Sequence, residues 1–261
     1  MEFRILGALE AVHEGEVVPL GGARRHALLA SLLLRANDVV SVGHLAESIW
    51  ERPPASMRSN VRTHIAGLRR TLAPAGVRLT TEPSGYRLSI ENHNLDLHRF
   101  ERTATRGTEL MDRGEFEAAA DLLGTALRIW RGTPFEGQPL GPLLQAEAVR
   151  LEERRLAVAE KWLTAQRACG AHGDAVGELR RLVIAHPFRE SLWLHLMTSL
   201  HEAGRTAEAL RAYHEARSLL QNQLGIDPCL DLQGAHQQIL HGRAAVLPLN
   251  RHSESRPAPV P

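Results

Sequence analysis

The chain has 261 residues, 43% of them hydrophobic and 23% charged, enough for one large or two modest cores in an ordinary globular protein. No run approaches ~18 uncharged apolar residues, which excludes a helical membrane span, and the acid-bearing start MEFRILGALEAVHEGEVVPL is not a secretory signal. The net charge of +1 hides an uneven distribution: residues 52–87 carry seven arginines against one acid, Glu82, while residues 96–261 carry 20 basic and 21 acidic residues. One concentrated basic segment in a near-neutral chain points to a local polyanion site.

In chain order, residues 3–20 alternate in short apolar bursts punctuated by Gly7, Gly15 and Gly21-Gly22, which predicts three or four short antiparallel strands. Residues 24–36 predict a helix with Leu28, Leu29, Leu32 and Leu33 on one face. Asn37-Asp38 ends it, and Val39-Val40-Ser41 reads as a brief extended link. Ser41 is the expected N-cap of a helix over 43–50 that buries Leu45, Ile49 and Trp50. Pro53-Pro54 breaks the chain before a third helix from Ser56 to Ala73, stopped by Pro74 and Gly76. Residues 77–81 and 86–90 form an expected hairpin around Glu82-Pro83-Ser84-Gly85.

After residue 95 the pattern is helical almost throughout. Gly114, Gly173 and Gly204 each precede an Ala-rich helical segment, and the last two are 31 positions apart. That is close to the ~34-residue period of tetratricopeptide-type helix pairs. Residues 244–261 include the proline-rich end PLNRHSESRPAPVP, an expected disordered tail.

The third helix carries the functional argument. Val61, Ile65, Leu68 and Leu72 lie within about 60° of one another on a helical wheel and form one apolar stripe. Ser59, Thr63, Ala66 and Arg70 point the other way. Arg58, Arg62 and Arg69 form one flank; Asn60, His64 and Gly67 form the other. Such a face is small and hydrogen-bonding at its middle and cationic at its rim, which suits a major groove. Helix, break, helix and β-hairpin is also the order of a winged helix-turn-helix.

No catalytic or metal-binding set stands against this. Lys161 is the only lysine and sits in EKWL, so no Walker A loop exists. There is no GxSxG, no HExxH among the 14 histidines, and no CxxC; His236 and His241 are five apart, wrong for one helix face. Cys169 and Cys229 read as free, inert packing thiols of a reducing compartment, and Trp130, Trp162 and Trp193 as packing residues. The expectation is a non-enzyme without cofactor.

The segment from GGARRHALLASLLL through SVGHLAESIW, PPAS, LRRTL and GYRL closely resembles the OmpR-type winged helix of the Streptomyces antibiotic regulatory proteins. LDLHRFE, GEFEAAADLLGTALRIWRG, AGRTAEALRAYHEARSLLQNQLGIDP and LQGAHQQIL are similar to that family's bacterial transcriptional activation domain. The resemblance covers about residues 1–242. It implies a mainly α fold: a winged-helix domain over 1–93, a tetratricopeptide-like all-α domain over 94–243, and the tail. It further implies a short family member, without the ATPase module of larger ones.

Carried over by position, the recognition helix is Ser56–Leu72. Its DNA contacts are Arg58, Asn60, Arg62, Thr63, Arg69 and Arg70, with Arg24 or Arg25 near the DNA backbone and Arg87 in the wing. Many relatives carry arginine where this chain has Gly67, a departure that removes a contact and costs the helix up to ~1 kcal/mol relative to alanine. The implied role is activation of a secondary-metabolite gene cluster in the cytoplasm, on the nucleoid. The chain would bind direct repeats of double-stranded DNA near a promoter as a tandem homodimer and recruit RNA polymerase holoenzyme. A tetratricopeptide-like scaffold whose N-terminal domain does not touch DNA is the alternative; it leaves the basic segment unexplained.

Overall fold

The computed structural model describes residues 1–91, 94–170 and 172–242. The expected tail at 244–261 and His93, at the expected domain joint, lie outside them. Packing groups the chain into two compact units, Met1–Lys161 and Trp162 onward.

The first unit opens with an antiparallel sheet of β1 (Glu2–Arg4), β2 (Glu10–His13) and β3 (Glu16–Val17), in that order. The expected three or four strands are three. Phe3, Ile5 and Ala11 are fully buried under the sheet. Helix α1 (Ala23–Leu34) follows, with Leu28, Leu29, Leu32 and Leu33 all at 0% exposure, as the leucine spacing requires. The turn after it closes at Asn37, which takes the left-handed conformation (φ 71°) that asparagine tolerates. The Asn37 N–H then donates to the Leu88 carbonyl at 2.9 Å, and its Oδ1 accepts the Ile90 N–H at 3.0 Å. One turn residue after the helix thus docks the strand that forms the wing.

Val39–Ser41 is not merely a link. It is strand β4, and it pairs antiparallel with β6 (Gly85–Ser89), which pairs in turn with β5 (Arg78–Glu82). Ser41 does cap the next helix, α2 (Val42–Glu47), its Oγ accepting the His44 N–H at 3.2 Å. That helix is shorter than expected, so Ile49 and Trp50 lie beyond its end and are only half-buried. Helix α3 (Met57–Leu72) begins after Pro53-Pro54 and passes through the 3-10 turn Ala73–Ala75 to Gly76, left-handed at φ 71°.

The sheet order β4-β6-β5 depends on one missing side chain. A Cβ on Gly85 would lie 2.0 Å from the Val40 carbonyl oxygen, so only glycine lets β6 reach β4 there. Gly85→Ala is expected to lose about 2–3 kcal/mol through this backbone clash, read as a lower midpoint in thermal or urea unfolding.

Helices α4 (Asp96–Asp112), α5 (Phe116–Leu127) and the start of α6 (Pro142–Ala168) complete the unit. The first two form an antiparallel pair turned at Gly114 (φ 76°). Asp96 binds this pair to the N-terminal sheet. Its carboxylate, 5% exposed, accepts the N–H groups of Ile5 (2.9 Å), Leu6 (3.0 Å) and Leu97 (2.8 Å). Burial pushes the Asp96 carboxyl above its usual range, against the pull of those N–H groups and of Arg131. Beyond α5, the N–H groups of Arg131, Phe135 and Glu136 donate to the carbonyls of Leu6, Ile5 and Gly7. Residues on both sides of position 93 therefore share one core.

In the second unit, the end of α6 packs with α7 (His172–Ala185), α8 (Glu190–Glu202), α9 (Thr206–Leu224) and α10 (Leu230–Leu240) around Leu163, Leu179, Leu192, Met197, Ala212 and Ile239. Trp193 is buried in this core, and its Nε1 donates to the Pro187 carbonyl at 2.9 Å. The glycine signal needs one correction. Gly173 lies inside α7, and the left-handed residue before that helix is Gly170 (φ 74°). Gly170 and Gly204 stand 34 residues apart, so the repeat is closer to the tetratricopeptide period than the expected pair gave. Cys169 and Cys229 are free as expected but exposed, so they are not packing residues.

Candidate nucleic-acid interface

Helix α3 is anchored from beneath. Val61, Ile65, Leu68 and Leu72 are at most 1% exposed and rest on α1 and α2. That fixes the helix's roll, and the opposite face must point to solvent. Arg58, Ser59, Arg62, Thr63, Ala66 and Arg70 are exposed there. Among the described residues, no acid pairs with Arg58, Arg62 or Arg70. Three unneutralised guanidiniums along about 12 positions of one rigid helix make a strong, directed positive field.

The middle of that face retains hydrogen-bonding capacity. Thr63 Oγ1 donates to the Ser59 carbonyl at 3.0 Å, which leaves the hydroxyl lone pairs free to accept. Asn60 donates one N–H to Ser56 Oγ at 3.2 Å and keeps its amide oxygen and second N–H available. Paired donor and acceptor on one amide is the chemistry that reads an adenine edge.

Arg69 is placed differently from the other expected contacts. Its Nε donates to the Leu79 carbonyl at 2.7 Å, its Nη2 donates to Thr81 Oγ1 at 2.6 Å, and the guanidinium lies 5.8 Å from the Tyr86 ring centre. It ties the wing to the helix. Arg69→Met is expected to cost about 1–2 kcal/mol of stability, whereas Arg62→Met should stay within about 0.5 kcal/mol of the parent; urea titration of both variants checks the contrast. Arg87 lies on the central strand, between Val39 and Thr80, with its Nε 3.6 Å from Glu82. It is the wing's partly screened cation.

The remaining expected contacts come from α1. Arg24 is exposed, its guanidinium 5.6 Å from the Trp50 ring centre. Arg25 lies beside α3: a Cβ on Gly67 would sit 2.6 Å from the Arg25 Cζ. Gly67 is consequently buried, although the wheel put it on a flank. His64 lies near both, and burial followed by the charges of Arg24 and Arg25 pulls its imidazole below the usual range. Sequence reasoning missed Trp50, Thr81 and Asp96 as positioning residues. A glycine inside a strong helical pattern was the available sign of close approach at position 67.

No group of three potential metal ligands occurs among the described residues, and none of the described helices is long and apolar enough to cross a membrane. The profile described as transcriptional regulatory protein, C terminal, matches residues 2–88, and that of the bacterial transcriptional activator domain matches residues 95–240. Regulatory protein DnrI of Streptomyces peucetius is 34% identical over 250 residues, covering 92% of each chain. This chain belongs to the Streptomyces antibiotic regulatory protein family. It is a transcriptional regulator with the winged N-terminal region and all-helical remainder of that family. Regulatory protein AfsR of Streptomyces coelicolor is 38% identical over all of this family member, which spans 27% of AfsR. A solved structure of Mycobacterium tuberculosis EmbR, in complex with a low-affinity phosphopeptide, superimposes with a TM-score of 0.87 at 33% identity, over 95% of this regulator and 66% of that chain.

Proposed function

We propose that the chain is a sequence-specific DNA-binding activator of a secondary-metabolite gene cluster, with α3 lying in the major groove and the β5–β6 hairpin as its wing. One observation supports this most: α3 is rolled by its buried stripe so that Arg58, Arg62 and Arg70, all without acidic partners, share an exposed face with Asn60 and Thr63. In this reading Arg58, Arg62 and Arg70 meet phosphates or guanine edges, Asn60 and Thr63 meet bases, and Arg24, Arg25 and Arg87 meet phosphates. Arg69 holds the wing at the correct angle. The helical remainder joins neighbouring protomers and engages RNA polymerase holoenzyme. Tandem packing of two protomers matches direct repeats spaced near one helical turn, ~10–10.5 bp or a multiple. A cytoplasmic, nucleoid-associated location follows from that role.

Footprinting of the full chain on the intergenic regions beside its own gene tests the reading. Protection of paired direct repeats that survives excess non-specific duplex, with polymerase-dependent transcript gain in vitro, is the expected result. Uniform, competitor-sensitive retention of every duplex would leave only the scaffold reading.

A further inference from the structure

The two flanks of α3 differ in where their positive charge comes from. One flank carries Arg58 and Arg62 on the helix itself. The other, Asn60, His64 and Gly67, has no permanent cation of its own. His64 does not supply one, because burial and the adjacent Arg24 and Arg25 favour its neutral form. Arg25 reaches this flank from α1 instead, and two glycines make its seat. Beyond the Gly67 approach already described, an added Cβ there would be 2.7 Å from both Nε and Nη2. A Cβ at Gly21 would lie 2.8 Å from Arg25 Nη1, and Gly21 is itself left-handed at φ 94°.

The guanidinium is thus held against helix backbone on one side and a turn on the other. Its side chain is only partly exposed, and among the described residues no acceptor takes any of its N–H groups. A half-desolvated guanidinium with five unclaimed donors gains most from an anionic acceptor, and the planar fork matches a phosphate. A groove-bound helix has a phosphate strand along each side. Arg58 and Arg62 lie toward one of them; the flank of Gly67 has only the arginines borrowed from α1.

We propose that Arg25 is the phosphate clamp on this second flank, and that Gly67 governs DNA affinity by being empty: it seats Arg25 flush with the recognition helix. This rests on the DNA-binding reading above and adds that an atom-free position sets the contact. Ordinarily, alanine in place of a helical glycine stabilises the helix. Here the same change must push the guanidinium off its seat, so stability and affinity are decoupled.

The test uses the full chain with Gly67→Ala, Arg25→Met and the double variant, on the footprinted duplex and on a scrambled duplex, over a salt series. Expected are roughly tenfold weaker binding for Arg25→Met and a comparable loss for Gly67→Ala. Each should flatten the plot of log affinity against log salt by about one contact, and the double variant should be no weaker than Arg25→Met alone. The melting temperature of Gly67→Ala should equal or exceed the parent's. Parental affinity and salt slope in Gly67→Ala, or additive losses in the double variant, would overturn the proposal while leaving the DNA-binding reading intact. Unchanged binding by Arg25→Met, which adds no atom near Gly67, overturns it even if Gly67→Ala folds poorly. Failure of the parent chain to prefer the footprinted duplex removes both.

Discussion

Replacing Arg62 and Arg70 together by methionine is expected to abolish site-specific retention of promoter DNA at physiological salt while leaving the protein folded. Both side chains are exposed and unpaired among the described residues, so the fold loses little. The complex loses two charge-assisted contacts, each of about 1.5–3 kcal/mol, so affinity should fall at least a hundredfold. Single variants separate the roles. A guanine-reading arginine loses discrimination at one base position, whereas a phosphate-bound one weakens all sequences equally and lowers the salt slope by about one. Fluorescence anisotropy on matched and single-mismatch duplexes distinguishes these outcomes. Retained affinity and slope in the double variant would transfer the binding role away from α3.

The second large effect concerns Asp96. Its carboxylate accepts three backbone N–H groups in a site nearly closed to water, so Asp96→Ala strands three buried donors. A loss of about 3–5 kcal/mol is expected, enough to unfold much of a marginal domain at growth temperature. Asp96→Asn keeps one acceptor oxygen and should lose less. The pH dependence has a definite sign. Burial raises the carboxyl in the fold above its value in the open chain, so this group favours the folded state as pH falls through its folded value and gives that advantage up as pH rises. The stability gap between parent and Asp96→Asn should therefore widen on acidification, measured by urea unfolding at stepped pH.

Periodicity made α3 legible because one buried stripe, Val61, Ile65, Leu68 and Leu72, fixes both the element and its roll; the α1 leucines are buried as expected too, but Ala27, Ala30 and Ser31 are buried with them, so that helix is enclosed rather than striped. The cap at Ser41 was legible because its hydrogen bond is local. Strand β4 was not, since three residues have no period, and its only reason to be a strand is β6, more than 40 residues away. The same limit hid the duties of Arg69. A wheel shows which way a side chain leaves its helix but not that the Leu79 carbonyl and Thr81 hydroxyl await it. Gly67 looked like a missing contact because the wheel omits α1, whose Arg25 occupies the space. The exposed cysteines show the converse error: a thiol's average preference for the interior gave way to its place at a helix end.

The Asp96 linkage also bears on how this regulator can be dissected. A reader cut at the end of the wing, near residue 91, would leave behind the acid that ties down Ile5 and Leu6. Grafting such a fragment onto a foreign effector would yield a chimaera with a frayed first strand, and its poor performance would be misread as weak sequence preference. The compact unit runs through Lys161, so the piece to keep when this protein is dissected is longer than its winged-helix portion.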